Sequence, residues 1–477
     1  MSIKLQAGAA VDAGVLPAAG AVIFDEAHEL EETASNYFGI GLSTQRFDEL
    51  ARDVETMLKA KSASTSAIES ATATLRDRAR MFFAALPSAI DTGTLIGGGL
   101  GRMPFEGRAD FLEESGDTYI GALNALTRLE GELDRLKNVE EAPGLRKRTA
   151  EIAQHLKFLL ESDDPNTVFW IERRAAAGIR GLAQKLARGV GHLSHHTHLQ
   201  ATPIDVSELL TTALFEQYNS VVLTSATLTV ASGGSGAGEA VSGFEHISKR
   251  LGLTLARELV VPSHFDYPRQ ALLYLPPGMP DPREPEFFPQ AAERTRRVLE
   301  ITRGRAFCLF TSYAQMRAMH ERLSAELPFP LLLQGNAPRN LLLEEFRDTP
   351  GAVLFGTSSF WQGVDVRGEQ LSAVIIDRLP FAVPSDPVVK ARMDAITSSG
   401  GSAFFDYQVP SAVITLKQGF GRLIRSLEDR GVLMLLDPRM QRQRYGRIFL
   451  DSLPPYRLTQ SIEDVEAFFA RDAMGRN

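Results

Sequence analysis

The sequence predicts an α/β protein in which short apolar strands alternate with helices to make mostly parallel sheets, interrupted near its start by a long helical block. Two observations carry that reading. The run Ala21-Val22-Ile23-Phe24 is continuously apolar and does not alternate, the pattern of a strand buried in a parallel sheet, and strand-like segments return from Ser220-Val221-Val222-Leu223 onward, as in Ala373-Val374-Ile375-Ile376. From about Thr44 to Leu199 the spacing turns helical, as in Leu126, Leu129, Leu133 and Leu136, with few β-branched runs.

The first recognisable element is Ala21-Val22-Ile23-Phe24, which reads as a buried parallel strand leading into Asp25-Glu26-Ala27-His28. The helical block follows, with a Gly-rich stretch from Asp91 to Gly107 that reads as a loop. Ala231 to Ala240, rich in Gly and Ser, reads as a flexible link. Beyond Ser220–Leu223, strands are expected at Ala271–Tyr274, Ala306–Phe310, Leu331–Leu333, Ala352–Phe355, Ala373–Ile376 and Val432–Leu436. Helices at Ala291–Thr302, Tyr313–Leu327 and Leu341–Phe346 alternate with them.

Composition bounds the function. A chain of 477 residues, 44% hydrophobic, can hold several cores. No apolar stretch reaches the roughly 18 to 20 residues of a membrane helix, so no membrane association is expected. Asp12 and Pro17 break the apolar N-terminus, which argues against a secretory signal. A single cysteine, Cys308, can neither form an internal disulfide nor hold a metal cluster alone, and a cytoplasmic location is expected. With a net charge of -8, any nucleic-acid binding must come from local basic clusters.

Four constellations can carry chemistry. In Val22 to His28, Asp25 and Glu26 follow a strand end, where α/β folds place ligands; Asp25 could hold a Mg2+ bridging nucleotide phosphates and Glu26 could polarise an attacking water. The alternative is a solvated strand-to-helix turn. Val222 to Leu228 runs from a strand into Thr224, Ser225 and Thr227, whose hydroxyls could reach a neighbouring carboxylate or form only an ordinary polar turn. The loop Gly356 to Val366 offers hydroxyls, Phe360, Trp361 and Asp365, suited to a nucleic-acid backbone or a nucleotide, or to anchoring a core. In Gln418-Gly419-Phe420-Gly421-Arg422-Leu423-Ile424-Arg425, the two arginines would share one helix face and could converge on one anion, or be surface groups. The run Arg439, Arg442, Arg444 and Arg447 is a candidate for phosphate contact or a solvated face.

In this order the constellations resemble those of superfamily 2 DNA helicases of the DinG/XPD branch, whose DEAH box Asp25-Glu26-Ala27-His28 matches. The likeness covers nearly the whole chain, including Val261 to Tyr267, Ser358 to Val374 and Ile375 to Phe381. It implies RecA-like motor domains with parallel sheets, an inserted Arch-like α-helical domain, and ATP-dependent 5′ to 3′ movement on single-stranded or forked DNA in repair and replication. By likeness, residues 1–40 are the C-terminal part of the first motor domain, 41–199 the Arch-like insertion, 200–230 the return to the first motor domain, 231–243 a linker and 244–477 the second motor domain. Catalytic roles then fall to Glu26, Arg422 and Arg425, and nucleotide contacts to Asp25, His28, Gly363, Asp365 and Gln418, with ATP and Mg2+ as cofactors and Asp25 on the metal.

The sequence also departs from the family. It contains no Gly-x-x-x-x-Gly-Lys-Ser/Thr phosphate loop, and Gln362 stands where the family usually has an acid in Trp-Glu-Gly. The family's iron-sulfur cysteines lie between that loop and the DEAH box, so a 4Fe-4S cluster is expected only in a missing N-terminal part and not on this chain. The reading is therefore a truncated helicase, its first motor domain incomplete and inactive alone, with Ala21–Phe24 as an exposed edge. The alternative is a DNA-binding remnant or adaptor without ATPase activity.

Overall fold

The computed structural model describes residues 19–61, 66–87, 101–136, 138–175, 195–231, 243–357, 360, 366 and 368–474. The described residues form two compact units: one gathers Leu30–Ala213 and Val383–Ser399, the other residues 19–29, Leu214–Ala382 and those from Gly400 onward.

The second unit begins with β1 (Ala21–Phe24), which lies parallel to β6 (Ser220–Leu223), with Phe24 opposite Leu223. Among the described residues these two strands form a sheet of their own. The strand is where the sequence places it, but it is not buried: Ile23 is 70% exposed, because no further described strand or helix covers that face. The rest of the unit is one parallel sheet. Its strands are β7 (Ala271–Tyr274), β8 (Ala306–Leu309), β9 (Leu331–Leu333), β10 (Val353–Gly356), β11 (Ala373–Ile376), β12 (Gly431–Leu435) and β13 (Arg457–Thr459), ordered β13-β7-β12-β11-β8-β10-β9.

Every residue of β7, β8, β10, β11 and β12 is buried, as the continuous apolar runs require for strands covered on both faces. One face packs on the helix Val409–Phe420 through Val413 and Leu416, the other on Phe287–Thr302 and Tyr313–Ser324 through Val298 and Met316. Cys308 sits in the middle of this sheet, fully buried, where desolvation pushes its thiol well above the usual range.

The first unit differs from the helical block that the sequence suggests. It does contain the helices Leu30–Phe38, Thr44–Lys61, Ser66–Ala85, Arg108–Arg135 and Ala142–Glu161, and Leu126, Leu129 and Leu133 face their common core as the spacing requires. It also contains an antiparallel sheet, β2 (Ile40–Ser43), β5 (His195–Pro203), β4 (Thr167–Ala175) and β3 (Gly101–Pro104), in the order β2-β5-β4-β3. Phe169 and Ile171 of β4, and Leu199 and Ala201 of β5, turn alternate side chains onto the helices, the two-residue period of a strand with one face in the core. Part of the expected Gly-rich loop is therefore strand β3, and residues 91–100 lie outside the described residues.

The helix Pro387–Ser398 joins this unit. Asp386 caps it by accepting from the amides of Val388 and Val389, with Pro387 in the first turn. Buried Arg392 ties it to the helix Leu30–Phe38, donating to Ser35 Oγ at 2.6 Å and pairing with Glu31 Oε1 at 2.9 Å.

Candidate active site

Parallel register brings two sequence-distant motifs side by side. Because Phe24 faces Leu223, the strands release Asp25 and Thr224 together at their C-terminal ends, the edge where α/β sheets place ligands. Thr224 donates its amide to Phe24 O at 2.8 Å, and Ala27 donates to Thr224 O at 2.9 Å. The Thr224 hydroxyl donates to Asp25 Oδ1 at 3.1 Å, and the amide of Glu26 donates to the same oxygen at 2.9 Å.

Glu26 adopts φ 51°, a left-handed conformation that costs a residue with a Cβ on the order of 1 kcal/mol or more. The turn it makes is held by its side chain: Ser225 Oγ donates to Glu26 Oε2 at 3.0 Å.

His28 lies beside both. Its Nδ1 is 3.0 Å from Ser225 Oγ and its Nε2 is 3.1 Å from Gln418 Nε2. Since the glutamine amide nitrogen can only donate, Nε2 must accept and Nδ1 carries the proton. Burial lowers the His28 pKa, with Arg422 adding to the effect and Glu26 and Glu29 opposing it, so the neutral ring this pattern needs is favoured.

Gln418 stands in the last turn of the helix Val409–Phe420. Its Nε2 also donates to Thr227 Oγ1 at 2.6 Å, and its Oε1 accepts from Arg422 Nη2 at 3.2 Å. One chain of hydrogen bonds thus runs from Arg422 through Gln418, His28 and Ser225 to Glu26.

The geometry at the arginines differs from the sequence reading. The helix stops at Phe420, so Arg422 and Arg425 lie in the turn that follows and not on one helix face. Gly421 caps the helix, and Asp429 Oδ2 takes the amides of Arg425 and Ser426, each at 2.7 Å, fixing the turn. Buried Asp429 also accepts from the Gly368 amide at 3.0 Å. Of the basic run further on, Arg439 is spent on Asp437 and Arg442 on Met279 O, while Arg444 is exposed. Gly363 and Asp365, with Trp361 and Gln362, lie outside the described residues, as do residues 232–242 of the expected linker 231–243.

A Helicase C-terminal domain model matches residues 295–456. The chain is 36% identical over 459 residues to the ATP-dependent DNA helicase YoaA of Escherichia coli, a match spanning 96% of this chain and 66% of that protein. With YoaA of Haemophilus influenzae the figures are 33% over 462 residues, 95% and 65%. The chain belongs to the DinG/XPD-type helicase family. The ATP-dependent helicase DinG of Mycobacterium tuberculosis is 38% identical over 284 residues, 59% of this chain and 41% of that one. The chain thus spans just under two thirds of the length of the YoaA relatives. Among solved structures, Xpd4 of S. tokodaii aligns with a TM-score of 0.53 at 17% identity, over 92% of this chain and 75% of that one, and an XPD helicase with 0.52 at 14%, over 92% and 68%. These agree with a RecA-like α/β fold.

In this DinG/XPD-type chain, Asp25, Glu26, His28, Gln418 and Arg422 come together in one unit, with Arg425 three residues on. The sequence reading missed Asp429 and Lys417. Asp429 works by accepting backbone amides and Lys417 by donating to a backbone carbonyl, which no spacing rule flags. Among the described residues no group of three or more His, Cys, Asp and Glu is arranged to hold a metal ion, and no helix is long and apolar enough to cross a membrane.

Proposed function

We propose that this chain supplies the nucleotide-hydrolysing and strand-engaging machinery of an ATP-dependent DNA helicase that moves 5′ to 3′ on single-stranded or forked DNA. The observation that carries the reading is the hydrogen-bond chain from Arg422 to Glu26, because it links a cationic turn to a carboxylate, the two kinds of group that phosphoryl transfer uses on the phosphate and on the attacking water.

Asp25 keeps an exposed carboxylate whose Oδ1 alone takes the neighbouring donors. A single carboxylate suits Mg2+, which keeps several waters and completes its shell with phosphate oxygens. When bound, the Mg2+ of ATP neutralises charge on the transferred phosphoryl group. Glu26 orients the attacking water, held by Ser225 and its strained turn. Arg422 and Arg425 stabilise the charge that develops on the phosphate oxygens, and Gln418 reports their position to His28. Gly363 and Asp365 complete the nucleotide contacts.

Turnover also needs a phosphate loop, and no Gly-x-x-x-x-Gly-Lys-Ser/Thr occurs in the 477 residues. The chain alone is therefore expected to lack DNA-stimulated ATPase, and fusion to an N-terminal segment that carries such a loop is expected to restore it. Turnover by the chain alone, abolished by Glu26→Gln, refutes the first expectation. DNA binding with no turnover in the fusion favours the second reading, a DNA-binding adaptor.

A further inference from the structure

We propose that Lys417 is a positioning residue of this site: its ammonium locks the Ser225–Thr229 turn onto the helix that carries Gln418. Lys417 Nζ donates to Thr229 O at 2.9 Å and reaches Thr229 Oγ1 at 3.5 Å. The next residue, Gln418, holds Thr227 Oγ1 at 2.6 Å. Two successive helix residues thus grip Thr229 and Thr227 of one turn, which fixes its register along the helix as well as its distance. Since Ser225, two residues before Thr227, holds Glu26 and His28, the register of this turn sets where the carboxylate and the ring sit. The functional consequence rests on the ATP-hydrolysing reading above; the tether itself does not.

Charge makes the case sharper. Among the described residues no carboxylate faces the ammonium. The helix Val409–Phe420 packs on the turn Ala403–Gln408, which carries Asp406, on β11, and on the helix Gly446–Ser452, which carries Arg447 and Asp451. Asp406 accepts from the Ser402 amide, Arg447 pairs with Asp451, and Arg422 donates to Gln418, leaving Lys417 with oxygens of Thr229. Burial alone lowers its pKa, to about 8. A buried ammonium without a counter-charge is costly, and a methionine of similar length would pack there at less cost. What methionine cannot do is donate to the Thr229 carbonyl.

The test is hydrogen-deuterium exchange of the segment 224–230 in the purified chain without nucleotide, corrected for intrinsic rates, from about pH 7 to about pH 9.5. Wild type should lose protection there roughly fivefold or more as the ammonium titrates, the scale of one net hydrogen bond. Lys417→Met should be unprotected throughout, and Lys417→Arg, whose guanidinium stays charged, protected and flat. A flat wild-type profile overturns the proposal without any variant, and so does Lys417→Met protection equal to wild type. Because no nucleotide is present, these outcomes stand apart from whether the site hydrolyses ATP. If exchange behaves as expected but Lys417→Met leaves kcat of the loop-bearing fusion unchanged, the positioning role is overturned.

Discussion

Gln418 sets its amide nitrogen 3.1 Å from Nε2 of His28, a residue 390 positions earlier, and 2.6 Å from Thr227 Oγ1. All three side chains are largely withdrawn from water, so each donor or acceptor left without its partner costs about 1 to 3 kcal/mol. Gln418→Ala and Thr227→Val should therefore be coupled. In a double-mutant cycle read by urea unfolding, their interaction energy is expected at about 0.5 to 1.5 kcal/mol. Simply additive effects would show that the contact contributes nothing to stability.

His28 gives a second prediction, with a definite sign. Its folded pKa lies below the ordinary 6.5 because burial disfavours the imidazolium. The unfolded chain then binds the proton more readily, so the stability tied to this ring is present above pH 6.5 and lost as pH falls through the lower folded value. Protonation also places a second donor on Nε2, facing the Gln418 amide. Wild type should lose stability on acidification below pH 6.5, and His28→Gln should lose less. Parallel curves for the two proteins would remove His28 as the cause.

Much of this fold could be read from the sequence because the central strands are apolar without interruption. β7, β9 and β11 fall where those runs predict, and β8, β10 and β12 within one residue at each end. The antiparallel sheet of the first unit was hidden for a different reason. Thr167-Val168-Phe169-Trp170-Ile171 has strand composition, but it stands among long amphipathic helices, and its strand partners Leu199 and Ala201 follow a stretch with no apolar run. At the site, Asp25, Glu26, Gln418 and Arg422 were visible as residue types, whereas the helix end at Phe420 was not, because Gly421 was flanked by residues compatible with a continuing helix. The roles of Asp429 and Lys417 depend on backbone groups, which carry no sequence signature.

A buried carboxyl supplies the third prediction. Asp377, 4% exposed at the end of β11, accepts from the Thr311 amide at 3.1 Å through Oδ1, while Oδ2 has no hydrogen-bond partner and lies 3.9 Å from Arg378 Nε. Burial raises its pKa from 3.8 to about 7, outweighing the pull of Arg378. A carboxyl that holds its proton more tightly in the fold contributes stability that is full below pH 3.8 and lost as pH rises through about 7. Asp377→Asn mimics the protonated form, so it should stabilise relative to wild type more at pH 8 than at pH 5, by about 1 kcal/mol or more. An equal effect at both pH values would mean that Asp377 titrates as an ordinary surface acid.

The last prediction separates phosphate from strand at the two arginines. Arg422 is buried against Gln418, and Arg425 sits in a turn whose amides are held by Asp429, so neither guanidinium is carried on a mobile surface arm. Fixed positive charge of this kind stabilises developing charge without reorganisation at the moment of reaction. In the loop-bearing fusion, Arg422→Ala and Arg425→Ala are each expected to lower kcat about a hundredfold or more, the scale of an arginine that acts on the transferred phosphoryl group. DNA affinity without nucleotide should change little. Arg422→Ala carries a further signature, because it also frees Gln418 Oε1 and should shift the pH dependence assigned above to His28, whereas Arg425→Ala should not. Normal ATPase with lost DNA affinity in either variant would instead place that arginine on the strand.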